Sequence, residues 1–331
     1  MIRRSPVYRL VALGTVALLA GTGCGATVEP EASTAEPVTV TNCGKQVTYD
    51  RVPERAVVYD IGMTEMMFSL GLAPHMRGWV INKIYGGIDD SPYRADFAKV
   101  ERLGDSRINL EIVLNAKADW VFAGHNHGFV ESRGITPAIL AKNGIASYLL
   151  TETCAKADEN PTAVVPPVEA LYTDLRNLGR IFRVSDRAEE IVADTQRRFD
   201  AAGAGKPATP ARVLVTDVYE DKPYVAGRAS ISTTIVEKAG GRSVTSDVQN
   251  TWASVGWETV VAADPEVIVV TDYEIPFAQK KALLMNAPQM KNVTAVRKGQ
   301  IYPIDFAAAM AGPRVGTAAE ELATYLRSIG R

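Results

Sequence analysis

The chain of 331 residues is 47% apolar, 22% charged and 7% aromatic, with a formal net charge of −2 and three cysteines. That composition excludes disordered, collagen-like and cysteine-stapled classes, and 36 basic against 38 acidic residues leave no electrostatic footprint for nucleic acid. Single hydrophobic cores stop growing at about 250–300 residues, so the length favours two lobes.

The chain opens as an export signal: Arg3, Arg4 and Arg9 form a basic region, and the apolar run Leu10 to Ala20 behind it is too short for a hydrocarbon core, which needs roughly 20 residues. The stretch LLAGTGC ending at Cys24 resembles the lipobox of bacterial lipoproteins, departing from it in Gly21, where an aliphatic residue is usual. The resemblance implies cleavage after residue 23 and lipidation of Cys24, which tethers the mature protein by acyl chains rather than a spanning helix. An ordinary secretory signal with an incidental cysteine is the competing reading. Removal of residues 1–23 takes the net charge to −5. With Cys24 assigned to lipid, Cys43 and Cys154 remain, and export to an oxidising compartment predicts that they pair; two unrelated buried thiols are the alternative.

Residues 24–37, rich in Glu, Ala, Thr and Pro, read as a tether. Val38 to Thr41 and Gln46 to Tyr49 alternate as hairpin strands, with Cys43 at the turn. From Arg55 short apolar runs alternate with helical patterns: Ala56 to Tyr59, then Met63 to Leu70; Gly78 to Ile81, then Leu110 to Ala116; Trp120 to Ala123, then Pro137 to Lys142; finally Ala146 to Leu150. A helical region runs from Val168 to about Ala202, and Ser185-Asp186 starts within it a helix of about 18 residues, roughly 27 Å long. The breaker cluster 203–207 follows, and the alternation resumes with strands at Arg212 to Thr216, Val267 to Thr271 and Ile301 to Ile304, and helices at Thr233 to Ala239 and Pro313 to Ser328. Strict alternation indicates an α/β fold: two mostly parallel α/β lobes, over 38–183 and 205–331, joined by a single long helix over 184–204.

Residues 110–122 align with 257–269. In each, a helix opens with a carboxylate, Glu111 or Glu258, turns at Ala-x-Ala-Asp or Ala-Ala-Asp-Pro, and feeds an apolar strand.

These features, in this order, resemble the substrate-binding proteins of ABC importers for iron-siderophores and cobalamin. The resemblance covers nearly all of the mature chain and rests on Val52-Pro53-Glu54-Arg55-Ala56-Val57-Val58, Thr64-Glu65-Met66 with Leu70-Gly71-Leu72, the two half-repeats, Pro223-Tyr224-Val225-Ala226-Gly227 and Gly312-Pro313-Arg314. It implies a ligand cleft between lobes held on one rigid helix, with small closure. It also implies a monomer without catalytic activity or cofactor, lipid-anchored outside the cytoplasmic membrane, that captures a ferric-siderophore-type chelate and delivers it to an ABC permease. Glu111 and Glu258 would dock on permease arginines, where without the family they would merely complement helix dipoles. A corrinoid or haem is the alternative ligand.

Ligand contacts in such a fold come from loops at strand ends, here Asp60 to Met63, 82–105, Gly124 to Gly128, 219–228, 249–256 and 306–314. Expected contacts are Trp79, Tyr85, Tyr93, His125, His127, Tyr224, Arg228, Trp252 and Arg314: aromatics for flat apolar surface, arginines for the oxygens of an anionic chelate. Arg314 could instead anchor the last helix. Alternate spacing on an extended segment sends His125 and His127 to opposite sides, which argues against one metal held by both. Gly124-His125-Asn126-His127 also resembles a metallophosphoesterase motif, the alternative enzyme class, but the chain has no Asp-x-His to complete such a site, and no Walker loop, Gly-x-Ser-x-Gly elbow or paired Cys-x-x-Cys points to another enzyme class.

Overall fold

The structure, a computed structural model, describes residues 36–154, 165–218 and 222–331. The expected signal 1–23, Cys24 and most of the expected tether lie outside the described residues. Among the described residues, no helix is long and apolar enough to cross a membrane.

The first element is an antiparallel hairpin of β1 (Val38–Asn42) and β2 (Lys45–Tyr49). Cys43 (φ 48°) and Gly44 (φ 74°) are both left-handed, as a two-residue hairpin loop matched to strand twist requires. Cys43 is disulfide-bonded to Cys154, with Cα atoms 5.1 Å apart. Asn42 exchanges two hydrogen bonds with the Leu149 backbone (2.8 and 2.9 Å), and the Tyr49 hydroxyl donates to Ser147 O (2.8 Å).

The N-terminal lobe holds β3 (Ala56–Tyr59), β4 (Met76–Val80), β5 (Arg102–Gly104), β6 (Trp120–His125), β7 (Gly128–Phe129) and β8 (Ala146–Leu149) in the order β5-β4-β3-β6, with β7 and β8 both on β6 and every pair parallel. Helices cover both faces of such a sheet, so β3 reads as an unbroken apolar run and is fully buried. The C-terminal lobe holds β9 (Arg212–Val218), β10 (Pro223–Ala226), β11 (Arg242–Ser243), β12 (Trp252–Ser254), β13 (Val267–Asp272) and β14 (Ile301–Asp305) in the order β12-β10-β9-β13-β14, with β11 on β9. Only β10 breaks the parallel pattern; it is antiparallel to both neighbours. The segments 219–228 and 249–256, read from the sequence as loops, therefore contribute this antiparallel edge. Both strands are too short to show alternation, and Pro223 opens the first of them, a position where proline costs the sheet little.

The helical region breaks once, at Arg183 (φ 63°), into Pro167–Ile181 and Ser185–Ala202. The second helix joins the lobes. Near its start Arg187 Nε donates to Ser69 O of the first lobe (3.0 Å); near its end Arg198 donates to Glu320 (2.8 Å) and Phe199 lies under the Lys238 ammonium, both in the second lobe. One apolar cluster runs from the first sheet through these helices to the face of β13 carrying Val267 and Val269, while the opposite face, with Ile268 and Val270, has its own smaller core.

The half-repeats correspond in their turns and hydrogen bonds. Helix Leu110–Asn115 feeds β6 through left-handed Lys117, and helix Trp257–Ala263 feeds β13 through left-handed Asp264. Arg55 Nε donates to Lys117 O (2.6 Å) and Arg212 Nε to Asp264 O (2.9 Å). Asp119 accepts from the Arg55 backbone N–H (2.9 Å), as Glu266 does from that of Arg212 (3.1 Å). In both lobes a carboxylate before one strand thus satisfies the first amide of its neighbour.

Candidate functional site: a cleft between the lobes

The lobes meet along a seam that combines close backbone approach, buried charge and apolar contact. At its centre the start of helix Ile61–Ser69 touches the chain before helix Val315–Ser328: a Cβ on Gly62 would lie 2.5 Å from Ala311 O, so only glycine permits this approach. Arg314 crosses the seam. Its guanidinium holds Glu65 through two bonds of 2.5 and 2.8 Å and donates to Gly87 O (2.9 Å) and Asp305 (2.5 Å), and Ser91 adds a hydroxyl bond to Glu65 (2.6 Å). Glu65 is fully buried, and burial pushes its carboxyl above the ordinary range despite the guanidinium's opposing pull. Farther along, Tyr85 stacks on Phe306 (ring centroids 4.2 Å apart, planes within 4°), and Glu274 N–H donates to Ile84 O (3.0 Å).

Beside this seam the lobes enclose a cavity of about 250 Å³. It lies beyond the carboxyl ends of β3, β6, β8 and β14, where α/β sheets place their ligands. Two larger depressions, about 750 and 610 Å³, each lie within one lobe, the second between the hairpin of β1 and β2 and the flank of β8. The first lobe lines the cavity with Asp60, Met63, His127, Glu152 and Thr153; the second with Tyr224, Ser230, Thr251, Trp252 and Met310.

Each wall has a local cause. Asp60 is left-handed (φ 72°) and buried; its carboxylate caps helix Ile61–Ser69 at Ile61 N–H and is in direct contact with His127 Nε2. The Tyr59 ring meets the imidazole edge-on at 5.5 Å. Opposite, Tyr224 on β10 pairs with Ser254 and Ala226 with Trp252, so alternation places Tyr224 and Trp252 on one face, where their rings stack 5.6 Å apart. Ser230 caps helix Ile231–Lys238, and Glu152 accepts from Ile231 N–H across the cleft (3.4 Å).

Of the ligand contacts expected from sequence, His127, Tyr224 and Trp252 are thus brought together. The others are not. Trp79 lies in buried β4, its indole N–H donating to Val100 O (3.0 Å) and its ring against Phe97: it is a core residue. Tyr93 precedes helix Arg94–Lys99 and packs towards Phe68, while Tyr85 belongs to the seam. Arg228 turns outward to Gln249 (3.0 Å), and Arg314 is spent on Glu65 and Asp305. The backbone of His125 closes β6; its side chain lies outside what the structure describes. Sequence reasoning missed Glu152 and Ser230 as cavity residues, although Glu152 follows β8 directly and the strand-end rule applied to that strand would have found it. Among the described residues, no three His, Cys, Asp or Glu side chains are grouped to hold a metal ion. Glu111 and Glu258 are exposed in the first turns of the two half-repeat helices.

Two α/β lobes on one helix, with a cavity between them lined from both sides, define a cleft-type binding protein. The family model for periplasmic binding proteins matches residues 57–308, and the chain belongs to that family; it is a substrate-binding protein and not an enzyme. The uncharacterized ABC transporter substrate-binding lipoprotein YvrC of Bacillus subtilis is 23% identical over 98% of this chain and 97% of its own. A periplasmic binding protein from Veillonella parvula is similar in structure, with a TM-score of 0.76 and 26% identity over 88% of this chain and 98% of that one. So is a protein of an ABC-type Fe3+-hydroxamate transport system from Saccharomonospora viridis (0.73; 22% identity; 88% and 99% covered). The periplasmic haem-binding protein RhuT from Roseiflexus is a further neighbour (0.67; 20% identity; 84% and 100% covered).

Proposed function

We propose that this protein is the ligand-capturing component of an ABC importer, that it takes up a ferric chelate of the siderophore type outside the cytoplasmic membrane, and that it hands this chelate to the permease. The observation that carries the proposal is the stacked Tyr224–Trp252 wall facing His127 and Asp60 across the cavity. Flat aromatic surface with hydroxyls at its margin suits the organic shell of a chelate, whose metal needs no ligand from the protein. The hydroxamate-transport relative of similar fold supports this choice. Glu111 and Glu258 are the docking carboxylates of the two lobes, and Cys24, behind a signal of residues 1–23, carries the lipid, in keeping with the lipoprotein relative. The protein acts as a monomer.

Titration of the mature protein with ferric siderophores, cobalamin, haem and free divalent metals tests the reading. A ferric chelate is expected to quench Trp252 fluorescence and to raise the melting temperature. Stabilisation by free zinc or manganese and by no chelate would refute it. For the anchor, Cys24→Ala is expected to release the protein from the membrane fraction; retention would reject lipidation at Cys24.

A further inference from the structure

We infer that the Cys43–Cys154 disulfide and Asp174 are positioning groups of the ligand cleft: from behind, they hold the single turn that brings Leu150, Glu152 and Thr153 to the cavity. The inference deepens the proposed function and rests on it. Thr151–Thr153 form one 3₁₀ turn after β8, closed by Cys154. Residues three apart eclipse in such a turn. Leu150 and Thr153 therefore share an edge that faces the cavity, and Glu152 beside them reaches Ile231 N–H of the opposite lobe (3.4 Å). Thr151 and Cys154 share the edge turned into the first lobe. There the carboxylate of Asp174, on helix Pro167–Ile181, accepts from the amide (3.1 Å) and the hydroxyl of Thr151, and Cys154 is bonded to Cys43. Asp174, Cys43 and Cys154 are not among the described residues that line the cavity.

These ties matter because the turn's own backbone bonds are few. Thr153 N–H donates to Leu150 O (2.9 Å) and Cys154 N–H to Thr151 O, and bonds of the 3₁₀ type have poor geometry. The hairpin loop brackets the segment. Asn42 exchanges its two bonds with Leu149 at one end and Cys43 holds Cys154 at the other, so two consecutive residues fix both ends. Asp174 grips the middle; it also accepts from the Tyr148 hydroxyl (2.7 Å), which takes a bond from Asn177 (2.9 Å). A wall that is in place before the ligand arrives spares binding the entropy cost of ordering it.

The test is isothermal titration of the mature protein and its variants with a ferric trihydroxamate, well below every melting temperature. Cys43→Ser/Cys154→Ser is expected to weaken binding roughly tenfold, as when the binding-ready arrangement falls to about one-tenth of the molecules. Thr151→Val, which keeps the shape and removes the hydroxyl bond to Asp174, should weaken it several-fold, and Thr151→Ser, which keeps the bond, should bind as the parent does. Leu284→Ala, in the smaller core of the second lobe, lowers stability without a change in this turn and should leave affinity unaltered. An equal loss of affinity in Leu284→Ala would overturn the inference, since general loosening would then account for the effect. A folded cysteine variant with unchanged affinity would reject the disulfide as a positioning group, and unchanged affinity in Thr151→Val would reject Asp174. If the parent protein binds no chelate, the carrier reading itself fails, and this inference with it.

Discussion

Asp174 shows how a single buried carboxylate shapes the response of the whole protein to pH. It lies on helix Pro167–Ile181, fully buried, and accepts hydrogen bonds from the Tyr148 hydroxyl (2.7 Å) and from the amide and hydroxyl of Thr151. Burial outweighs these bonds and pushes its carboxyl up to about 7. An aspartate in the unfolded chain titrates near 3.9. Between those values the folded state binds more protons than the unfolded state, so this group's contribution to stability is present at low pH and is lost as pH rises from about 4 through about 7. Asp174→Asn, which keeps the shape and removes the titration, is expected to flatten that part of the stability profile; urea unfolding of both proteins between pH 4 and 8 checks it, and parallel profiles would reject the assignment. Nothing in the sequence marked Asp174, because a helix pattern shows which face is apolar and not which polar residue the fold will cover. The same limit explains Trp79 and Arg314: residue type and a nearby loop suggested ligand contact, whereas a strand buried on both faces took the indole and a carboxylate 249 residues away took the guanidinium.

Among the elements, the hairpin of β1 and β2 depends on long-range attachments, since an isolated two-stranded ribbon is marginal in water. The disulfide closes 111 residues of sequence between Cys43 and Cys154, a loop long enough for its loss to cost about 2–5 kcal/mol. Reduction, or the Cys43→Ser/Cys154→Ser double variant, should lower the melting temperature by several degrees; an unchanged melt would show that the hydrogen bonds of Asn42, Tyr49, Asn177 and Arg180 and the hairpin's buried face hold it without the disulfide. The sequence was most legible at this scale. Short, mostly apolar runs marked β3, β6, β8, β9, β13 and β14, and the half-repeats gave equivalent units whose left-handed turns and carboxylate latches coincide. The edge pair β10 and β12 escaped because its stability comes from pairing and from the Tyr224–Trp252 stack, neither of which leaves a periodic trace in three or four residues. Both residues of the cavity's aromatic wall were recognised by residue type while their strands were not.

For the whole molecule, Arg314 is a principal ionic link between the lobes. Arg314→Gln leaves Glu65 buried with only Ser91 as a strong partner, and removing one member of such a pair costs about 3–5 kcal/mol. We expect a lowered melting temperature, a larger radius of gyration by X-ray scattering as the seam loosens, and partial recovery of both when Glu65→Gln is added; no recovery would mean that the pair is not the element holding the seam. The docking proposal is tested at Glu111 and Glu258. Glu111→Lys and Glu258→Lys should each abolish uptake in cells while leaving ligand affinity unchanged, because both side chains are exposed and neither lines the cavity. A loss of affinity would reject the docking role.

The seam also has a direction in time. Glu65, Gly87 and Ser91 are made before the bridging helix, and Asp305 and Arg314 almost at the end of the chain. In any folding that follows chain order the first lobe therefore waits, with a carboxylate destined for full burial and no counter-ion, until the last helix joins it. The lobes are not independent parts: a hybrid that joins the first lobe of this protein to the second lobe of a relative will close properly only if Glu65 and its arginine travel together.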